Sequence, residues 1–198
     1  IIAHKKYFNT LPEGFYLPFL GYTPGLEHAI KAYGLRYTIL DSHALLFGSP
    51  TPKAGTFAPV RCDNSLAIFA KDVDCYEDFF GENGIIFREE YCDNNRDIGF
   101  ESKISELQNF LDDQTRLSTG FKYWCHKKTD DGTSLPYNIE QAKAKTKEDA
   151  ALFLGNKTNK LLTASELLED KDVSMVCTYN ANMFGKQWSE GIDWLEQV

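Results

Sequence analysis

The order of apolar and polar residues near the start of the chain predicts a strand, a helix and a second strand. Residues 14–18 are aromatic and aliphatic, which predicts a short buried strand. Residues 24–34 open with Pro-Gly, carry apolar residues at helical spacing and end in glycine, which predicts a helix. Residues 35–40 predict the next strand. Because short turns join these elements, we expect the two strands to be parallel.

Two polar residues, Asp41 and His43, follow the second predicted strand directly. The carboxyl ends of parallel strands form the edge at which α/β proteins bind their ligands. Asp41 and His43 are therefore candidates for a functional site.

The rest of the chain predicts a hairpin, three helices and one further strand. Residues 59–62 and 66–70 predict the hairpin, and residues 72–99 are typical of a polar surface insertion with little regular structure. The predicted helices span residues 102–117, 138–154 and 165–169. An apolar run at residues 173–177 predicts a strand buried on both faces.

These elements predict the α/β fold class with two parts. We expect residues 1–70 and 172–198 to form an α/β core, and residues 71–171 to form a mostly helical insertion. The chain begins without methionine, in what looks like the middle of an element. We therefore expect it to be a fragment of a longer protein.

Composition and charge exclude several classes of partner. The net charge of −8 disfavours nucleic acids and anionic membranes, because both require a positive surface. No apolar run approaches the roughly 20 residues that span a bilayer. A neutral polysaccharide is compatible with this charge, and the 14% aromatic content supplies rings for a core or for stacking on sugars. We expect a cytoplasmic protein with neither a membrane nor a nucleic acid partner.

Cysteine and histidine spacing predicts neither a disulfide framework nor a metal site. The five cysteines are an odd number and include no Cys-x-x-Cys, and the four histidines lie far apart. Reduced thiols are the simpler interpretation. We therefore predict no metal and no cofactor.

Two stretches near the ends of the chain resemble motifs of glycoside hydrolase family 57, in particular its branching-enzyme and amylase-like branch. The family's third conserved region reads approximately Gly-x-Trp-Leu-Pro-Glu-Cys-Gly-Tyr-x-Pro-Gly-Leu-Glu and is similar to residues 14–27. Its fourth region, Pro-Tyr-Asp-Ala-Glu-Leu-Phe-Gly-His-Trp-Trp-x-Glu-Gly-x-x-Trp-Leu, is similar to residues 178–195. Shorter stretches that resemble the family in the same order are residues 41–47, 58–60, 96–100 and 119–123.

This resemblance implies an incomplete (β/α)7 barrel and α-1,4-glucan, such as starch, glycogen or a maltooligosaccharide, as the partner. It also implies hydrolysis or transfer with retention of anomeric configuration. Such chemistry requires two carboxyl groups roughly 5–5.5 Å apart, one as nucleophile and the other as general acid and base.

Both catalytic positions of the family are substituted in this chain. The nucleophile position is Phe19, whose ring has no lone pair to form a glycosyl-enzyme. The acid/base position is Asn180, whose amide cannot protonate a leaving oxygen at neutral pH. The basic histidine and the tryptophan after it are replaced by Lys186 and Gln187.

Asp41 and Glu190 are the candidates for a substitute carboxylate. The alternative roles are a loop-holding contact for Asp41 and a helix N-terminal charge for Glu190.

Four further residues are candidates for binding a sugar. His43 either contacts a hydroxyl group or is structural, and Trp188 either stacks on a sugar or packs in the core. Tyr22 and Tyr179 are candidates to line the same pocket.

Three hypotheses about function remain open from the sequence. The first is a family member that no longer cleaves glucan and at most binds it. The second is an active enzyme that uses relocated carboxylates or belongs to a longer chain. The third is a structural or interaction module without affinity for sugar. The sequence leaves the oligomeric state open.

Overall fold

The computed structural model describes residues 1–111, 115–169 and 172–198. These residues divide into two units. Unit 1 comprises Ile1–Cys75 and Thr158–Thr178, and unit 2 comprises Tyr76–Lys157 and Tyr179–Val198. The division predicted from the sequence has other boundaries, at residues 70 and 172, and stays a prediction.

Unit 1 is built on a four-stranded sheet. Its strands and helices are α1 (Ile2–Phe8), β1 (Gly14–Tyr16), α2 (Leu26–Ala32), β2 (Tyr37–Leu40), α3 (Ser42–Leu46), β3 (Val60–Arg61) and β4 (Ala67–Ala70). The strand order is β1-β2-β4-β3, in which β1, β2 and β4 are parallel and β3 is antiparallel to β4. The predicted parallel pair and the predicted hairpin are both confirmed.

The core of unit 1 is aliphatic. It consists of Leu17, Ile30, Leu35, Leu40, Leu45, Leu66, Ile68 and Ala70. The sequence predicted that the first strand would be buried, but Phe15 and Tyr16 of β1 are exposed. β1 is the edge strand of the sheet, so it has a neighbouring strand on one side only.

The apolar run at residues 173–177 does not form the predicted strand. Only Val176 pairs with the sheet, through a parallel bridge to Lys71, and Ser174 donates its N–H to the carbonyl of Phe57. The run is half-buried for the most part rather than buried on both faces. A single bridge fixes its position in unit 1 without making it a strand.

Unit 2 contains short helices, a hairpin and part of one long helix. The elements are α4 (Glu77–Phe80), α5 (Ile98–Glu101), α6 (Ile104–Leu107), β5 (Trp124–Lys128), β6 (Ser134–Pro136), α7 (Ile139–Leu167) and α8 (Gly191–Leu195). Residues 139–157 of α7 belong to unit 2 and the rest of that helix to unit 1.

The core of unit 2 is aromatic. Phe79 lies at its centre, with ring-centroid distances of 4.8 Å to Tyr179, 5.8 Å to Trp188 and 5.1 Å to Trp194. Phe79 and Tyr91 belong to the stretch predicted to be a surface insertion, yet both are fully buried. That prediction was wrong because the many polar residues in residues 72–99 concealed a few large rings that carry the packing.

Two of the predicted helices have other limits in the structure. Within residues 102–117, helix α6 covers only Ile104–Leu107, and residues 112–114 lie outside the described residues. Phe110 is exposed, so this stretch lacks the continuous apolar face that a longer helix needs. The helix predicted for residues 138–154 instead runs to Leu167 and absorbs much of the short helix predicted after it.

A buried aspartate joins two loops of unit 2. The side chain of Asp97 accepts five hydrogen bonds of 2.7–3.1 Å, from the backbone of Gly99, Thr119 and Gly120 and from the hydroxyls of Ser118 and Thr119. Burial alone would raise the pKa of Asp97, but these donors hold it well below its usual value. Residues 96–100 and 119–123, two of the stretches that resemble the family, meet through this carboxylate.

Candidate functional site

The carboxyl ends of the three parallel strands of unit 1 form one edge of the sheet. Phe19 lies three residues after the end of β1, Asp41 directly follows β2, and Asp72 lies two residues after the end of β4. The sequence predicted that Asp41 and His43 would lie at such an edge. The structure brings both to the same edge of unit 1.

Phe19 lies in a tight turn with an unusual backbone. The turn Pro18–Leu20 has φ of 54° at Phe19 and 55° at Leu20, both in the left-handed region. The Leu20 N–H donates to the carbonyl of Leu17 at 2.9 Å, and the Phe19 ring is fully exposed. Non-glycine residues in this region cost roughly 1–2 kcal/mol each. The turn therefore presents the Phe19 ring to solvent on a strained backbone.

The carboxylate of Asp41 is used locally. Asp41 is the N-cap of α3, and Oδ1 accepts the backbone N–H of His43 at 3.2 Å and contacts Nδ1 of the same residue at 2.5 Å. Partial burial would raise the pKa of Asp41, but the hydrogen bonds from His43 outweigh it and lower the pKa. This geometry is that of a loop-holding carboxylate, which is the alternative role considered for Asp41.

Tyr22 and His43 differ in how open they are to a ligand. The Tyr22 hydroxyl donates to Oε2 of Glu27 at 2.6 Å, and burial together with this carboxylate raises the pKa of Tyr22. The His43 ring is exposed and stacks on Phe47, with 5.9 Å between ring centroids. Of the two, His43 is the residue with an open face.

From Tyr179 onward the second motif lies in unit 2, where it combines a few buried side chains with many exposed residues. Asn180 is exposed and precedes the short turn Ala181–Met183. Trp188 is only 1% exposed and packs against Tyr91 and Trp194, with centroids 5.5 and 5.6 Å apart. Its ring has no open face for a sugar, so Trp188 packs in the core. Tyr179 is half-buried and packs edge-on against Phe79.

Glu190 is buried rather than a surface charge. It occupies the N-cap position of α8, but its side chain makes no cap hydrogen bond and is only 1% exposed. Its Oε1 accepts the backbone N–H of Cys92 at 3.1 Å. Burial and the neighbouring Glu190 carboxylate raise the pKa of Tyr137. Glu190 therefore ties together three segments of unit 2, which is a structural task.

A surface cavity in unit 2 lies beside the substituted end of the second motif. It has a volume of about 430 Å³, and its polar lining includes Asn94, His126, Lys186 and Gln187. Phe87 adds a ring whose centroid lies 6.2 Å from that of His126. Sequence reasoning missed this cavity because its walls come from segments far apart along the chain. The one available signal was the position of Lys186 and Gln187 within the second motif.

Within the described residues, none of the helices combines the length and hydrophobicity needed to cross a bilayer.

Comparison with known proteins gives consistent relatives. The family model for glycosyl hydrolase family 57 matches residues 2–112, more than half of the chain. A 1,4-alpha-glucan branching enzyme from Thermococcus kodakarensis is 22% identical over 100% of this chain and 31% of its own length.

Solved structures of similar proteins match the whole chain. The alpha-amylase AmyC from Thermotoga maritima has a TM-score of 0.88 and 25% identity, with 39% of its chain covered. A branching enzyme from Pyrococcus horikoshii has a TM-score of 0.78 and 23% identity, with 35% covered. The Thermococcus branching enzyme, solved in complex with glucose, has a TM-score of 0.77 and 21% identity, with 38% covered.

The chain spans between about three and four tenths of the length of these relatives. Its α/β fold matches part of the incomplete (β/α)7 barrel that the resemblance implied. The family match covers the first motif, and the second motif lies outside the matched residues. The chain belongs to glycosyl hydrolase family 57.

Proposed function

We propose that this chain is a catalytically impaired family member that at most binds α-1,4-glucan. The observation that carries the proposal is the fully exposed Phe19 ring at the position of the family's nucleophile. The named relatives are two branching enzymes and an alpha-amylase, and one of the branching enzymes was solved in complex with glucose.

The chemistry of retention explains the expected loss of activity. The nucleophile must attack the anomeric carbon, and a second carboxyl must protonate the leaving oxygen. Phe19 and Asn180 provide neither function. Loss of such groups reduces turnover by several orders of magnitude.

The two candidate substitutes are engaged elsewhere. Asp41 caps α3 and pairs with His43, and Glu190 is buried with its Oε1 bonded to the Cys92 amide. The lowered pKa of Asp41, which accepts donors from His43, makes its carboxylate a weaker nucleophile and a poor proton donor at neutral pH. Both residues therefore support the fold better than they support glycoside cleavage.

Binding of glucan draws support from the exposed rings of unit 1. Phe19 lies at the carboxyl edge of the sheet, and the stacked pair of His43 and Phe47 follows β2 at the same edge. A sugar ring presents a flat C–H face that packs on such rings. These exposed rings are the surface that we assign to glucan.

Activity assays test the catalytic half of the proposal. The chain is incubated with amylose and glycogen, and reducing ends and iodine staining are followed over time. We expect no turnover above the blank. Clear turnover contradicts the proposal, and its loss in Asp41→Asn or Glu190→Gln then identifies a relocated carboxylate.

Calorimetry with maltoheptaose tests the binding half. We expect Phe19→Ala to weaken binding roughly 2- to 10-fold, the equivalent of one aromatic contact. Tyr33→Ala is the matched control, because Tyr33 is also an exposed ring of unit 1 but precedes β2, at the opposite edge. Absence of heat at millimolar ligand favours the third hypothesis, a module without affinity for sugar.

A further inference from the structure

We propose that unit 1 contains a Zn²⁺ site formed by Asp72, Cys75 and Cys177. One carboxylate oxygen and the two Sγ atoms all lie within 4.8 Å of one another. Asp72 and Cys75 are buried and Cys177 is half-buried. This proposal is independent of glucan binding and of the family's chemistry.

The backbone brings the three side chains together. Asp72 lies just beyond the end of β4, and its N–H donates to the carbonyl of Val176 at 2.8 Å. Together with the bridge between Lys71 and Val176, this bond fixes the neighbouring Cys177 beside β4. Cys75 ends the short turn Val73–Cys75, in which its N–H donates to the carbonyl of Asp72 at 3.4 Å. Hydrogen bonds of unit 1 thus position all three ligands.

The ligand set and its spacing suit zinc. Thiolates favour Zn²⁺ over harder divalent cations, and a carboxylate oxygen is an ordinary third ligand. Tetrahedral Zn²⁺ with Zn–S bonds of about 2.3 Å places two sulfurs roughly 3.8 Å apart. Atoms within 4.8 Å therefore need to move by only about 1 Å. Three protein ligands leave the fourth position to a water molecule.

Charges of opposite sign lie around the proposed ion. Zn²⁺, two thiolates and one carboxylate sum to a single negative charge, and the two thiol protons leave to solvent on binding. Lys160 Nζ lies 2.5 Å from Asp72 Oδ1 and supplies one positive charge. Lys160 also pairs with Asp74 Oδ2 at 2.5 Å, near the surface. A buried group of this kind is stable when its charges are compensated.

The sequence predicted no metal, and the structure gives the reason for revising that prediction. The lack of Cys-x-x-Cys and of clustered histidines predicted no metal, whereas these ligands have the spacing Asp-x-x-Cys, with the second cysteine far along the chain. Two backbone contacts of Val176, the bridge to Lys71 and the hydrogen bond from the Asp72 N–H, bring Cys177 to the other two.

Titration of the reduced, metal-free chain with Co²⁺ and then Zn²⁺ tests the site. We expect one equivalent of Co²⁺ to give a thiolate-to-cobalt charge-transfer band and tetrahedral d–d bands, which Zn²⁺ then abolishes. Cys177→Ser should lower the charge-transfer band by about half and weaken Zn²⁺ binding at least ~10-fold. Asp72→Asn should retain both thiolate transitions but also weaken binding.

The matched control is Cys62→Ser, a partly buried cysteine of unit 1 outside the cluster. It should change neither the spectrum nor the affinity. Circular dichroism of each metal-free variant establishes that it is folded, and the half-buried Cys177 carries the test if a change at Cys75 prevents folding. A wild-type chain without the charge-transfer band overturns the proposal. So does a loss in Cys62→Ser equal to that in Cys177→Ser.

Discussion

The two stretches that most resemble the family differ in physical setting. In unit 2, residues 179–195 contribute Met183, Trp188, Glu190 and Trp194 to the interior, each at most 1% exposed. In unit 1, residues 14–22 contribute Leu17 to the core and expose Phe19 completely. One stretch places several large side chains in a core, and the other places its central ring in solvent.

This difference shows that the residues flanking a catalytic position and the residue at that position have separate physical roles. The stretch in unit 2 is needed for packing whether or not residue 180 is a carboxylate. The stretch in unit 1 is fixed by Leu17 and by the left-handed turn, which would present any side chain at position 19 to solvent. Resemblance over the flanking residues therefore supports ancestry and fold more strongly than it supports activity.

The largest expected effect is a difference in stability between substitutions in the two stretches. Trp194→Ala should destabilise unit 2 by about 3–5 kcal/mol, because it removes a ring packed 5.1 Å from both Phe79 and Phe153 and leaves a cavity. Phe19→Ala should change stability by no more than about 0.5 kcal/mol, since its ring is exposed.

Urea unfolding followed by tryptophan fluorescence measures this contrast. All three tryptophans, Trp124, Trp188 and Trp194, belong to unit 2, so the signal reports on that unit. Trp188 remains as the buried reporter in Trp194→Ala. A cost below about 1 kcal/mol for Trp194→Ala would contradict a packing role for the second stretch.

The next largest effect is the stability cost of replacing an aspartate of lowered pKa, compared between Asp97 in unit 2 and Asp41 in unit 1. Asp97→Asn should destabilise unit 2 by about 1–3 kcal/mol at neutral pH, because an amide nitrogen would face hydrogen-bond donors. Asp41→Asn should have a smaller effect, since Asp41 is partly exposed and asparagine is also a good N-cap.

The pH dependence has a defined sign. A carboxyl whose folded pKa lies below the unfolded value of roughly 3.9 stabilises the fold above that value. Its contribution disappears as the pH falls toward the folded pKa. The difference in unfolding free energy between wild type and Asp97→Asn should therefore become smaller below about pH 4. A difference that is constant from pH 7 to pH 3 would show that Asp97 acts through shape rather than charge.

Local patterns predicted the parts of unit 1 in which neighbours along the chain are neighbours in space. The helix after Pro24-Gly25, the strand that became β2 and the hairpin of β3 and β4 all follow from spacing and turn residues. Their order also predicted that β1 and β2 are parallel. Short connections make such arguments reliable.

Long-range packing explains what the sequence could not show. The apolar run at residues 173–177 looked like a buried strand, but its fate depends on the single bridge from Val176 to Lys71. Residues 72–99 looked like surface because their local composition is polar, although Phe79 and Tyr91 are central to unit 2. No local period encodes either contact.

For the candidate site, too, the sequence predicted positions along the chain but not the contacts that those residues make. Resemblance gave Phe19, Asn180 and the two substitute carboxylates by position alone. The engagement of Asp41 by His43 and the burial of Glu190 against Cys92 required coordinates. Pairing of a carboxylate across nearly a hundred residues leaves no pattern in the sequence.

The smallest expected effect concerns the turn that exposes Phe19. Phe19→Gly should remove the backbone strain of a left-handed non-glycine residue, which costs roughly 1–2 kcal/mol. Glycine also makes the unfolded chain more flexible, which lowers the stability of the fold by roughly 0.5–1 kcal/mol. The net result is stabilisation of unit 1 by up to about 1.5 kcal/mol. Tyr16→Gly is the matched control, because Tyr16 is an exposed ring in the strand β1 and should lose about 1 kcal/mol.

Hydrogen exchange of the β2 amides measures both variants, since β2 pairs directly with β1. Slower exchange in Phe19→Gly, together with weaker maltoheptaose binding, would mean that position 19 keeps a strained, exposed ring at a cost to stability. Such a trade-off is expected where a surface residue serves a ligand rather than the fold. Faster exchange, as in Tyr16→Gly, would instead mean that the ring stabilises its own turn. The first stretch would then resemble the second: both would be structural elements in which only the residues flanking the catalytic position resemble the family.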